Sequence, residues 1–219
     1  MIIIPGTDLY LGLSGAHGKA DPLPENALFL DQIHGNRVVA NPAGGERADG
    51  MIIERGCGIP ALRVADCLPV FAVWDDFTGA AHAGWRGLAG GIIENLIVAV
   101  NSQLRWLILG PCICGDCYSV GDEVREAVMA GDPSGARGHL QGKVDLRGSV
   151  LRRVRQLCGE TFQLINIDEC TLESKNLHSF RGDKTVERNF LWLAEIEQGE
   201  HIRQLNVETE CNSPERRKN

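Results

Sequence analysis

The chain of 219 residues carries 22 Lys and Arg against 29 Asp and Glu, a formal net charge of −7, with 43% hydrophobic residues and 26 glycines. This is the composition of a globular protein with many tight turns, and it excludes a disordered or collagen-like chain. The acidic balance, with no basic run longer than Arg216-Arg217-Lys218, argues against nucleic-acid and membrane-surface partners and for small molecules or proteins.

In chain order, short apolar runs bounded by Gly, Pro, Asp and Asn predict strands at 9–13, 27–30, 51–53 and 69–74. The segment Asp75-Asp76-Phe77-Thr78-Gly79 predicts a turn that folds residues 70–73 back on 79–83 as a hairpin. Beyond Gly87, Leu88, Ile92, Ile93, Leu96, Ile97 and Val100 recur at steps of three and four, which predicts one amphipathic helix. A buried strand at 106–111, a short helix over 122–129, and a loop at Asp132-Pro133-Ser134-Gly135 with Arg137-Gly138 follow. Val144 to Cys158 carries a second helical face stopped by Gly159, and strands are expected at 164–167 and 190–193. No Pro/Ser linker, internal repeat or low-complexity segment divides the chain, so one domain over 1–219 is expected. Strands in runs with few helices between them predict an α+β fold, a mixed sheet with helices packed against it.

Eight cysteines are the unusual count. A disulfide framework suits short secreted chains, whereas this chain opens Met1-Ile2-Ile3-Ile4-Pro5-Gly6, without a basic start or a long apolar region. No stretch approaches the roughly 18–20 apolar residues of a spanning helix. The expectation is therefore a cytoplasmic protein whose cysteines are buried apolar groups, metal ligands or reactive thiols.

Chemistry-bearing side chains concentrate in three apolar contexts, each at the end of a predicted strand: Asp31-Gln32-Ile33-His34-Gly35, Ala65-Asp66-Cys67-Leu68-Pro69, and Ala80 to Gly87 with His82 and Arg86. His34, Cys67 and His82 stand 33 and 15 residues apart, which matches no local zinc-finger spacing, so the fold must assemble any shared site. Converged, two imidazoles and a thiolate suit Zn²⁺ and leave its fourth position open for water, the mark of a catalytic site. The same donors could hold copper, and a buried Cys with two satisfied histidines that merely pack is the bland alternative.

A second cluster, Cys112-Ile113-Cys114-Gly115-Asp116-Cys117, suggests on spacing a structural zinc or an iron–sulfur centre, with Cys170 or His139 as the fourth ligand if the fold brings one in. Cys57, Cys158, Cys170 and Cys211 have no motif around them, and His17, His139, His178 and His201 also lack supporting context. Arg86, at an expected helix start, is a candidate for binding an anion, while Arg181 and Arg188 flank a Gly182-Asp183-Lys184 turn. Trp85, Tyr118 and Phe180 could stack on a planar ring or belong to the core.

The segments Gln32-Ile33-His34-Gly35, Ala65-Asp66-Cys67-Leu68-Pro69-Val70 and His82-Ala83-Gly84-Trp85-Arg86-Gly87-Leu88 resemble the bacterial multicopper polyphenol oxidase or laccase-domain family, later described as purine nucleoside phosphorylases. Gly110-Pro111, Tyr118-Ser119-Val120-Gly121, Val144-Asp145-Leu146 and Cys170-Thr171 extend the resemblance over most of the chain from about Asp31 to Arg188. It implies a three-layer α/β/α sandwich with mixed sheets, and His34, Cys67 and His82 as ligands of zinc, or of copper in the older proposal. The implied activities are phosphorolysis of adenosine, inosine and methylthioadenosine and deamination of adenosine, with a nucleoside and phosphate as partners; Arg86 and Arg188 are the candidate substrate-binding residues. The Cys112–Cys117 segment matches a loop that the family does not use for metal. Where the family has a Ser-Tyr/Phe-Arg-Arg and a Thr-Gly-Arg pattern, this chain has Ser179-Phe180-Arg181-Gly182 and Val186-Glu187-Arg188, so one Arg is lost and an acidic residue replaces a Gly.

The readings that follow are a zinc-dependent purine nucleoside enzyme; a copper-dependent phenol oxidase; a metal-free cysteine hydrolase with Cys67 as nucleophile and His82 as its base; and a metal-binding or interaction protein with a vestigial site. One three-ligand cluster is too few for a multicopper electron relay, and a chain with 3 Met offers no blue-copper axial context.

Overall fold

The most uniformly apolar run of the chain, Leu68–Val73, is buried on both faces in the computed structural model, which describes residues 1–15, 21–134 and 142–196. The strands are β1 (Ile2–Ile3), β2 (Leu9–Ser14), β3 (Ala27–Leu28), β4 (Val38–Ala40), β5 (Gly50–Glu54), β6 (Ile59–Val64), β7 (Leu68–Val73), β8 (Phe77–Ala83), β9 (Trp106–Leu109), β10 (Gln163–Asn166) and β11 (Asn189–Glu195). The helices are α1 (Trp85–Gly90), α2 (Ile92–Val98), α3 (Asp122–Ala130), α4 (Leu146–Cys158) and α5 (Phe180–Asp183).

Two mixed sheets result, in the orders β10-β9-β7-β8-β5-β4 and β1-β2-β11-β6-β3. Successive side chains of a strand point to opposite faces, and here the two faces meet different layers. Leu68, Val70 and Ala72 pack with Leu88 and Ile92 of the α1–α2 segment and with Val150 and Val154 of α4. Phe71 and Val73 pack with Leu11, Leu62, Val64 and Leu191 of the five-stranded sheet. Each such burial contributes about 1.5–3 kcal/mol. Among the described residues the layers thus run helices, six-stranded sheet, five-stranded sheet: the α+β class and mixed sheets are as expected, while the third layer of the implied α/β/α sandwich is the five-stranded sheet rather than helices.

The expected hairpin is β7–β8, closed where Trp74 N–H donates to the Phe77 carbonyl at 2.9 Å. Its register pairs Leu68 with Ala83 and Pro69 with His82, which sets Cys67 and His82 at one end of a rigid two-stranded unit. The single helix expected after Gly87 is instead two, because Gly91 has φ 85° and caps α1 by donating its N–H to the carbonyls of Gly87 and Leu88. The apolar period runs across the break because both helices lie on the same sheet face. Val144 stays outside α4, since Asp145 is the N-cap and its carboxylate accepts the Gly148 N–H at 3.0 Å. Gly159, at φ 67°, ends α4 as expected. The Gly182–Lys184 turn is the end of α5, with Lys184 in the left-handed region. Strand β6, between β11 and the edge strand β3, has no clear sequence signal, as Pro60 interrupts it where it pairs with that short parallel strand. Gly135, Arg137, Gly138, His139, His17, His201, Cys211 and the basic run at 216–218 lie outside the described residues.

The break at Gly91 gives a sign-determined prediction. Gly91→Ala forces a Cβ into the left-handed region and lowers stability by about 1–2 kcal/mol, read as a lower urea midpoint at unchanged slope. In one continuous helix the same change would raise stability by about 1 kcal/mol.

Candidate metal centre

The three residues that the sequence marks as candidate ligands converge. One donor atom from each of His34, Cys67 and His82 lies within 4.8 Å of the others, and the two imidazole rings meet edge to face with centroids 4.7 Å apart. Cys67 and His82 come from the β7–β8 hairpin end, and Gly84 opposite them must be glycine, since a Cβ there would stand 2.9 Å from the Cys67 sulfur. His82 is buried, Cys67 half-buried and His34 exposed, so the centre opens to solvent past His34.

His34 reaches the hairpin because of a residue that sequence reading missed. The Asp49 carboxylate, fully buried before β5, accepts the backbone N–H groups of Ile33 (3.1 Å), His34 (2.9 Å) and Gly35 (2.6 Å), and contacts His82 Nδ1 at 2.8 Å. His34 itself has φ 60°, an unfavourable conformation for a side-chain-bearing residue, which this anchoring sustains. Burial opposes the charge on Asp49, but donation from His82, Gly35 and His34 outweighs it and holds the carboxyl below its usual range. A proton fixed on His82 Nδ1 leaves Nε2 as the free donor, the arrangement that outer carboxylates impose on metal-binding histidines.

Burial also disfavours charge on His82 and Cys67, yet their partners prevail. Asp49 and Cys67 raise His82 to about 9, and hydrogen bonds from His34 and His82 bring the Cys67 thiol down to about 6. Both shifts favour a thiolate beside an imidazolium at neutral pH. This donor set fits a soft or borderline divalent cation: the sulfur is already ionised, and His82 need lose only the proton on Nε2.

Asp66 braces the cysteine side. At φ 86° its carboxylate accepts the hydroxyls of Thr171 and Ser179, both at 2.7 Å, and the Arg181 N–H at 2.6 Å, while its carbonyl accepts the Ile113 N–H at 3.0 Å. Nearby, Arg86 stacks over Trp85 at 4.4 Å and Arg181 over Tyr118 at 5.2 Å, and Tyr118 lies within electrostatic reach of Cys67, Arg181 and Arg86. Burial, then the charge of Cys67, pushes the Tyr118 phenol up to about 12 against the pull of Arg181 and Arg86, so it is a neutral donor. Arg188 instead donates to the Thr185 and Glu187 carbonyls of its own turn, at 3.1 and 2.7 Å. The cysteine triplet is divided: Cys114 and Cys117 meet Cys170 and Glu173, whereas Cys112 is buried apart, its thiol donating to the Ile113 carbonyl.

Because Asp49 orients both histidines, Asp49→Asn is expected to weaken metal affinity 10–100-fold, measured by competition with a chromophoric chelator. Unchanged affinity would show that the ligands hold position without the carboxylate.

Residues 17–193 match the family model for the multi-copper polyphenol oxidoreductase laccase. A purine nucleoside phosphorylase, YfiH of Escherichia coli strain K12, is 35% identical over 188 residues, covering 80% of this chain and 76% of the relative. The purine nucleoside phosphorylase ORF3 of Streptomyces griseus is 31% identical over 187 residues, 78% of this chain and 75% of the relative. The crystal structure of the Neisseria meningitidis protein NMB0706 superposes with a TM-score of 0.68 at 29% identity, over 78% of this chain and 75% of that one. YlmD from Geobacillus stearothermophilus shares the fold, with a TM-score of 0.66 at 22% identity over 79% and 74% of the two chains. Over the greater part of its length, therefore, the chain belongs to the multi-copper polyphenol oxidoreductase laccase family.

Proposed function

We propose that this chain is a cytoplasmic, single-domain, zinc-dependent purine nucleoside enzyme that phosphorolyses adenosine, inosine or methylthioadenosine and deaminates adenosine. The observation that carries this reading is the convergence of His34, Cys67 and His82, with Tyr118 in electrostatic reach of Cys67, Arg181 and Arg86. The relatives named purine nucleoside phosphorylase support the substrate class. Among the described residues no helix is long and apolar enough to cross a membrane.

His34, Cys67 and His82 would hold the ion, which supplies Lewis acidity when bound, activating water or polarising a substrate atom. Asp49 keeps the proton of His82 on Nδ1. Arg86 and Arg181 offer guanidinium groups to phosphate, which Arg binds in bidentate fashion. Tyr118 donates its phenol proton to a substrate oxygen or ring nitrogen, and Trp85 offers a flat apolar face to the base. In phosphorolysis a phosphate oxygen forms the bond to C1′ as the bond to N9 breaks, and the departing base takes up a proton. In deamination water adds to the ring carbon and ammonia leaves.

Purified zinc-loaded protein given adenosine is expected to yield adenine and ribose 1-phosphate only when phosphate is present, and inosine without it. Cys67→Ser is expected to lower kcat/KM for both reactions at least ~100-fold. Losing a charge-assisted contact of about 1.5–3 kcal/mol, Arg86→Ala should raise the KM for phosphate ~10–100-fold with little change in deamination. Absence of both products would end this reading, and copper-dependent oxygen uptake with a phenol, lost in Cys67→Ser, would put an oxidase in its place.

The ionised Cys67 beside protonated His82 favours a second reading, in which the metal-free protein uses Cys67 as a nucleophile. Its alkylation by iodoacetamide should then rise through a pH of about 6 and level off by neutrality. A rise centred near the ordinary thiol value of ~8.5 would exclude it.

A further inference from the structure

Away from the His34–Cys67–His82 centre, one donor atom from each of Cys114, Cys117, Cys170 and Glu173 lies within 4.8 Å of the other three. Two short turns bring them together, each offering two donors separated by two residues. In the first, the Cys117 and Tyr118 N–H groups donate to the Cys114 carbonyl at 3.1 and 2.9 Å. In the second, the Ser174 N–H donates to the Cys170 carbonyl at 2.9 Å. The turns are joined by a parallel bridge between Cys112 and Cys170, with Cys112 N–H to the Glu169 carbonyl at 3.3 Å and Thr171 N–H to the Cys112 carbonyl at 3.1 Å.

One sulfur, that of Cys170, accepts a backbone N–H, from Cys114 at 3.3 Å, and the Cys117 thiol is aimed at the carboxylate donor, Glu173 Oε1, at 3.5 Å. Cys170 is buried, Cys114 and Cys117 half-buried, and all three are free thiols. A tetrahedral ion with Zn–S bonds of about 2.3 Å holds its donor atoms about 3.8 Å apart, so side chains already within 4.8 Å need only small rotations to close on one. Iron–sulfur clusters take four cysteine thiolates as a rule, whereas the fourth donor here is a carboxylate, which zinc accepts.

We propose that Cys114, Cys117, Cys170 and Glu173 form a second, structural metal site for a single divalent zinc-class ion, distinct from the open three-ligand centre. Four protein donors leave no position for substrate, which separates a structural site from a catalytic one. Binding displaces the thiol protons and forms three sulfur–metal bonds and one oxygen–metal bond. Its place in the fold gives it a purpose: Ile113 N–H and Thr171 Oγ1, each next to one of the clamped cysteines, both hold Asp66, the residue before Cys67. An ion here ties together the two loops that brace the cysteine side of the first centre.

The test is metal analysis of native protein purified under reducing conditions, beside two variants. Wild type is expected to hold about two zinc equivalents, and Cys114→Ser/Cys117→Ser and His34→Ala/His82→Ala about one each. In cobalt-loaded His34→Ala/His82→Ala the intense thiolate-to-metal absorption of a tetrahedral site with three sulfurs should persist. In native protein, without any mutation, strong chelation should expose four thiols to a thiol reagent, Cys67 and the three of this site, where the first centre alone would expose one. A single equivalent in wild type that vanishes in the histidine variant would overturn the proposal. So would a disulfide among Cys114, Cys117 and Cys170 in the freshly isolated protein, or iron with sulfide in place of zinc.

Discussion

A single buried carboxylate holds the centre together. Removing a charge from water costs several kcal/mol, and Asp49 offsets that by accepting three backbone N–H groups from residues 33–35 and facing the His82 imidazole. The same contacts sustain His34 in a left-handed conformation that costs about 1–2 kcal/mol. The charge, the strain and the tautomer of His82 are therefore one coupled arrangement. Without the carboxylate, the loop carrying His34 would lose its anchor and the imidazole of His82 its orientation together.

The rest of the site repeats the device. Asp66, also in the left-handed region, gathers Thr171, Ser179 and Arg181 around the residue that precedes Cys67. The hairpin supplies the rigid element, fixing Cys67 and His82 by register, while the two carboxylates attach loops distant in sequence to its end. Tyr118 and Arg181 on those loops inherit their positions from Asp66 and from the cysteine-rich turns behind it. The chemistry thus sits on loops whose freedom is removed by buried polar contacts, and the apolar layers hold the strands from which those contacts start.

The convergence of His34, Cys67 and His82 was legible in the sequence because each lies in an apolar, glycine-flanked segment, and a family resemblance joined segments that spacing alone did not. The β7–β8 hairpin was legible from its two apolar runs and the Asp75-Asp76 turn. Asp49 was not, because its partners lie 14 to 33 residues away and nothing beside Ala48-Asp49-Gly50 marks a carboxylate as buried. The break at Gly91 was hidden because both helices present apolar side chains to the same sheet, and β6 because Pro60 lies within it. Local spacing grouped Cys112 with Cys114 and Cys117, yet the chain buries Cys112 in the core and brings Cys170 to the other two from a distant turn. Among the arginines, the notable shift is toward Arg181, which packs against Tyr118, while Arg188 caps carbonyls in its own turn.

Asp49, facing His82 Nδ1 at 2.8 Å, holds the proton there and so leaves Nε2 to face a metal ion. The most direct measurement is ¹⁵N NMR of the histidine side chains in zinc-loaded protein, with His82 assigned by mutation. The account requires a protonated, hydrogen-bonded Nδ1 and a metal-shifted Nε2 on His82. A His82 ring protonated at Nε2 and ligated through Nδ1, or one unaffected by zinc, would contradict it.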